Sequence, residues 1–183
     1  MASHTNTPSR TRAMVNAALC AALLCVISPW SVVIGPVSLT LGVFGVFYAG
    51  AMLSPGYAAG AVAVYLALAG MGLPVISNFR SGPAALFGPT GGYLLAYPVM
   101  ALLVALAKKR SGRPWALALS VAASLVVLYG FGTAWFMAVT GTPLLQSLVA
   151  CVFPFIVPDA CKGAAALALA GALQKRLPAL RPA

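Results

Sequence analysis

The stretch Phe153-Pro-Phe-Ile-Val-Pro-Asp-Ala-Cys-Lys-Gly163 contains the only acidic residue of the 183-residue chain, Asp159, and a lysine three positions after it, Lys162. Long apolar runs flank it, Leu144 to Val157 before and Ala164 to Leu173 after. An ionisable side chain inside a membrane span costs about 2.5–3.5 kcal/mol on insertion scales, so it marks a functional site by default and needs a partner. Lys162 is that partner, because residues three apart share a helix face. Pro158 suits the first turn of a helix, where its missing N–H is no loss. Asp159 then lies beside free backbone N–H groups at the positive end of the helix dipole. The expectation is a polar patch at a helix start, suited to a polar or anionic ligand group. The plainer alternative is an ion pair that only neutralises itself.

Composition sets the class. Hydrophobic residues make up 62% of the chain and charged residues 7%, with a mean hydropathy of +1.00, which is the make-up of an all-α integral membrane protein. The net charge of +10 raises nucleic acid as a partner. The basic residues reject it: all but Lys162 fall outside the continuous apolar segments or at their ends, with no aromatic-interleaved basic surface. Cys20, Cys25, Cys151 and Cys161 lie scattered in apolar runs without a CxxC spacing and read as small hydrophobes. His4, the only histidine, sits in a polar tail, so no imidazole is placed for base or metal chemistry, and no nucleophile–base arrangement suggests an enzyme.

The chain has room for about six spans of ~20 residues. Residues 1–12 read as a disordered tail, 13–176 as a single six-helix transmembrane domain and 177–183 as a second tail. The first span, residues 13–30, has no Ala-x-Ala-like cleavage site and reads as an uncleaved helix. Ala13, Ala17 and Ala21 form a small-residue face on it, of the kind that permits close helix contact, although Ala59, Ala63 and Ala67 repeat the spacing. Residues 31–36 read as a turn, 37–53 and 57–73 as spans, and 74–92 as an irregular Gly/Pro-rich loop holding Asn78, Arg80 and Thr90. Spans follow at 93–107, with Pro98 inside, and at 115–139. The sixth region reads as a short apolar helix followed by a spanning helix from about Asp159. Basic clusters stand before the first span, after the fourth and after the sixth, each an even number of crossings apart, which puts both termini in the cytoplasm. The 74–92 loop and the Asp159–Lys162 pair then share the outer face.

Four motifs carry a resemblance to a known family. Gly35-Pro36-Val37 through Tyr48-Ala49-Gly50, Gly70-Met-Gly-Leu-Pro-Val75, Leu86-Phe-Gly-Pro-Thr-Gly-Gly-Tyr93 and Pro158-Asp-Ala-Cys-Lys162 resemble BioY, the biotin-binding S component of energy-coupling-factor (ECF) vitamin transporters. The likeness spans nearly the whole chain. It departs at Ser38, where members usually carry a second proline. The resemblance implies six helices, a pocket near the outer face of the cell membrane, and partners in the form of a transmembrane coupling subunit and two ATPase subunits. It also implies that Ala13, Ala17 and Ala21 form the face offered to the coupling subunit, and that biotin is the transported ligand with no cofactor.

Biotin's chemistry then suggests roles. Lys162 meets the valerate carboxylate, Asp159 accepts from a ureido N–H, and Asn78 does either, with the assignments exchangeable. Tyr93 supplies an aromatic wall with a polar tip, Thr90 lies in the same loop, and Gly91 and Gly92 let backbone approach the ligand. For Asn78 the alternative is a loop-capping amide, and for Arg80 a solvated charge set against a carboxylate partner. Gln146, Trp30 and Tyr48 are further lining candidates. Two other functions stay open on sequence alone: an S component for a different small vitamin, and a membrane assembly subunit without a ligand.

Overall fold

A computed structural model describes residues 10–176; residues 1–9 and 177–183, the bulk of the two expected tails, lie outside the described part. Arg10 and Arg12, expected in the first tail, already belong to helix α1, Arg10–Ile27.

After α1 comes the first departure from the sequence reading. Strands β1 (Ser31–Ile34) and β2 (Val37–Thr40) pair antiparallel, Ser31 opposite Thr40 and Ile34 opposite Val37. Gly35, at φ +66°, begins the two-residue loop, the place where such hairpins need a left-handed residue. Residues 37–40 were expected inside the second span. A short run such as Val37-Ser-Leu-Thr40 does not distinguish strand from helix by periodicity, and the Gly-Pro pair beside it settles the matter as a hairpin.

Helix α2 (Gly42–Met52) and helix α3 (Pro55–Gly70) follow. At 1.5 Å per residue they are shorter than a ~30 Å hydrocarbon core. Among the described residues four helices are long and apolar enough to cross a membrane: α1, α5 (Gly91–Arg110), α6 (Pro114–Thr140) and α8 (Phe153–Arg176).

The 74–92 segment is more ordered than its Gly/Pro content suggests. It holds a bridge between Ile76 and Arg80, a single 3-10 turn at Ser77–Phe79 and the short helix α4, Pro83–Phe87. Asn78 and Phe79 have φ of +59° and +57°, a conformation that is a genuine outlier for an aromatic residue and persists only when surroundings hold it. The Asn78 backbone N–H donates to the Pro29 carbonyl (3.0 Å) and the Ser31 hydroxyl (3.1 Å), and its Nδ2 donates to the Ser38 hydroxyl (3.1 Å). The loop is therefore fastened to the hairpin.

A short helix α7, Leu144–Cys151, precedes α8, as the sequence suggests, but α8 does not begin at Asp159. It begins at Phe153 and contains Pro158. Pro154 takes the first-turn role, and Pro158, one turn later, removes only the bond to the Pro154 carbonyl. Asp159 thus sits two turns into the helix, away from the free N–H groups.

Helix α5 lies at the centre, packed on α2, α3 and α6, while α2 also packs on α8. Phe47, Tyr65, Leu24 and Met100 fill the interior with 0% exposure. At the end that carries the basic cluster of the last turn of α5, the Lys108 ammonium donates to the Ala51 carbonyl and to Gln174 Oε1. Gln174 Nε2 donates to the same Ala51 carbonyl at 3.1 Å. A cation and an amide thereby satisfy a carbonyl in the last turn of α2, where orphan acceptors and the negative dipole end coincide.

Candidate functional site

At the opposite end, the hairpin, the 74–92 loop and the ends of α5 to α8 enclose one polar cavity. The carboxylate of Asp159, 3% exposed, forms part of its wall. Lys162 Nζ donates to Asp159 Oδ1 at 2.9 Å and the Tyr129 hydroxyl donates to Oδ2 at 3.0 Å. Both oxygens are thus engaged, the condition under which a buried charge is tolerated. Lys162 also donates to the Thr40 carbonyl at 2.8 Å, so it stands behind Asp159 and ties α8 to the end of β2. It is not on the cavity wall.

The cation that does line the cavity is Arg80. Its Nε donates to the Ser77 carbonyl (3.4 Å) and its Nη2 lies 3.5 Å from the Thr90 hydroxyl. The chain's one acidic side chain is already paired with Lys162, so among the described residues the guanidinium has no carboxylate partner and keeps donors for a ligand. Four aromatic rings, Tyr93, Tyr97, Tyr129 and Phe155, join aliphatic and hydroxyl side chains in the remaining walls. The Tyr93 hydroxyl is 3.1 Å from that of Thr133. Its ring occupies space that opens because residue 132 is glycine; a Cβ there would overlap the ring.

The structure therefore gathers Asp159, Arg80, Thr90 and Tyr93 into one cavity, with Lys162 joined to it through Asp159. It leaves three of the expected residues off the wall. Asn78 fastens the loop to the hairpin instead. Gly91 and Gly92 are occupied from behind: a side chain at Gly91 would meet the Leu86 carbonyl, and one at Gly92 the Trp135 side chain. Gln146, Trp30 and Tyr48 do not line the cavity either; Trp30 makes an edge contact with Phe79, centroids 6.1 Å apart, and Tyr48 stacks on Phe44. Sequence reasoning missed Tyr97, Tyr129 and Ser77. The four-residue step from Tyr93 to Tyr97 is a usable signal for the first, whereas Tyr129 stands alone in an apolar span and offers none.

On α1, Ala21 is buried and Ala17 packs partly buried against the core, with Ala13 half-buried. Ala21 and Ala17 pack against the chain's own helices, while Ala13 stays partly accessible. The outward face of α1 carries Val15, Ala18, Leu19, Ala22 and Val26.

With this geometry in view, comparison with known proteins is decisive. The family model described as BioY family matches residues 2–179. The chain belongs to the BioY family. Among curated relatives, the probable biotin transporter BioY of Pyrococcus horikoshii is 38% identical over 157 residues, covering 86% of this chain and 93% of that protein. The biotin transporter BioY of Thermotoga maritima is 42% identical over 123 residues, covering 66% and 72%. The fold of this BioY-family chain also matches a solved structure, the 2.1 Å crystal structure of the S-component for biotin from an ECF-type ABC transporter. The TM-score is 0.74 at 25% identity, and the match covers 92% of this chain and 94% of that one. With four span-length helices among its described residues, this BioY-family protein is a multi-pass membrane protein, and its family is one of transporter components rather than enzymes.

Proposed function

We propose that this chain captures biotin at the outer face of the cell membrane and delivers it inward as the S component of an ECF transporter. A transmembrane coupling subunit and two ATPase subunits are its partners in this reading, and ATP hydrolysis belongs to them. The observation that carries the assignment is the cavity's pair of opposite charges across aromatic walls: an Arg80 guanidinium without an acidic partner, and an Asp159 carboxylate fixed by Lys162 and Tyr129.

Biotin has a carboxylate at one end and a ureido ring at the other. Arg80 is the natural partner for the carboxylate, since guanidinium and carboxylate match in bidentate geometry. Asp159 accepts from a ureido N–H, the hydrogen bonds from Lys162 and Tyr129 fix its orientation, and the tyrosines and Phe155 take the bicyclic body. This moves the carboxylate contact from Lys162 to Arg80. The cavity is narrow, about 50 Å³, room for a few waters, so seating the vitamin requires the loop bearing exposed Arg80 to shift outward.

Six crossings, with α2 and α3 completing the count and both termini in the cytoplasm, follow from the positions of the basic clusters. The coupling subunit then meets the outward face of α1. Titrating purified protein with radiolabelled biotin tests the function: saturable, tight, one-to-one binding is expected, and indifference to biotin overturns it.

A further inference from the structure

A second void, about 610 Å³, runs between α6 and α8 on the outside of the bundle. Its walls are apolar and small: Pro114, Ala118 and Ala122 on α6, and Ile156, Ala160 and Ala164 on α8. One end is closed by Tyr129, the ring that also walls the polar cavity. From Pro114 to Tyr129 the groove follows α6 for about 22 Å at 1.5 Å per residue, more than one leaflet of a ~30 Å hydrocarbon core.

The other end opens on something different. Leu167 is shared with an adjoining cavity of about 260 Å³ that contains Lys108 and Lys175. Lys109, Arg110, Arg113 and Arg176 stand in the adjacent sequence, and no acidic side chain offsets them, because Asp159 lies at the far end of the bundle. Long lysines at a helix end reach into the headgroup region, and a phosphate is the complementary charge there.

We propose that this groove and cavity form one site for an anionic phospholipid, its phosphate between Lys108 and Lys175 and one acyl chain along α6 and α8 towards Tyr129. The commitment to lipid rests on the continuity of an apolar, membrane-deep groove with a pocket at its end whose charged side chains, Lys108 and Lys175, are both cations. A soluble anion uses only the pocket, and a zwitterionic lipid gains less from it because its own ammonium is repelled by the same lysines.

Native mass spectrometry on the detergent-purified chain tests this, with phosphatidylglycerol and phosphatidylcholine of matched acyl chains supplied as mixed micelles. One phosphatidylglycerol per protein is expected to be retained, at least tenfold over phosphatidylcholine. Lys175→Gln is expected to lower that preference several-fold, since Lys175 is exposed and carries no bond on which the fold depends. Ala122→Leu with Ala164→Leu fills the groove and is expected to abolish retention while biotin binding persists. Equal retention of the two lipids, an unchanged preference in Lys175→Gln, or displacement of the lipid by inorganic phosphate alone would each overturn the site as described.

Discussion

The Lys162 ammonium donates to the backbone carbonyl of Thr40, 122 positions away, at 2.8 Å while holding the Asp159 carboxylate at 2.9 Å. One side chain thereby joins the last helix to the hairpin that covers the cavity, and its removal has two separable effects.

Lys162→Ala leaves Asp159 buried without its counter-charge. Breaking such a pair from one side costs about 3–5 kcal/mol, so the melting temperature should fall markedly and biotin affinity should fall by ~2–5 kcal/mol. The Asp159→Asn, Lys162→Ala double variant should regain part of the stability but none of the affinity. A thermal-shift double-mutant cycle checks this; additive losses would deny the coupling.

Arg80→Ala should separate binding from folding. Arg80 is exposed, so stability should change little, while biotin affinity should fall by about 1.5–3 kcal/mol, the range of a hydrogen bond to a charged group. Biotin methyl ester supplies the control: wild type and variant should bind it equally. A variant that loses both ligands alike would remove Arg80 from the carboxylate.

Gly132→Ala puts a methyl group where the Tyr93 ring lies. Overpacking of this kind costs about 1–3 kcal/mol, and the displaced ring also loses Thr133. Lower melting temperature and at least tenfold weaker biotin binding are expected; Gly130→Ala, which has open space, is the matched control.

Ser111→Cys in a chain whose native cysteines are replaced by serine reports topology. Residue 111 follows α5 and should resist membrane-impermeant maleimide in intact cells, then react once the membrane is opened. Labelling from outside would reverse the orientation.

Much of the site was legible because it is local. Asp159 and Lys162 are three residues apart, and one helical turn brings them together whatever the rest of the chain does. Arg80 was legible only as a loop cation with two readings, solvated charge or carboxylate partner, since its place on the cavity depends on the Ile76–Arg80 bridge and on Asn78 binding the hairpin across 40 and 47 positions. Tyr129 was hidden by its setting, as an aromatic residue in an apolar span reads equally as packing or interface. The start of α8 misled for a definite reason: two prolines four apart both suit a first turn, and only Pro154 occupies one. The spans α5 and α6 were recovered to within three residues because long apolar runs ended by charge or Gly/Pro leave little choice.

Asn78 and Phe79 both stand with left-handed backbones, one that asparagine accepts readily and phenylalanine does not, and the fastenings that keep them there run to Pro29 and to the hairpin's Ser31 and Ser38. Were the hairpin to lift, that twist would relax, and Arg80, the next residue, would swing out of alignment with it. Cover and cation thus form a single flap, in which unlatching the roof also loosens the grip on the cargo.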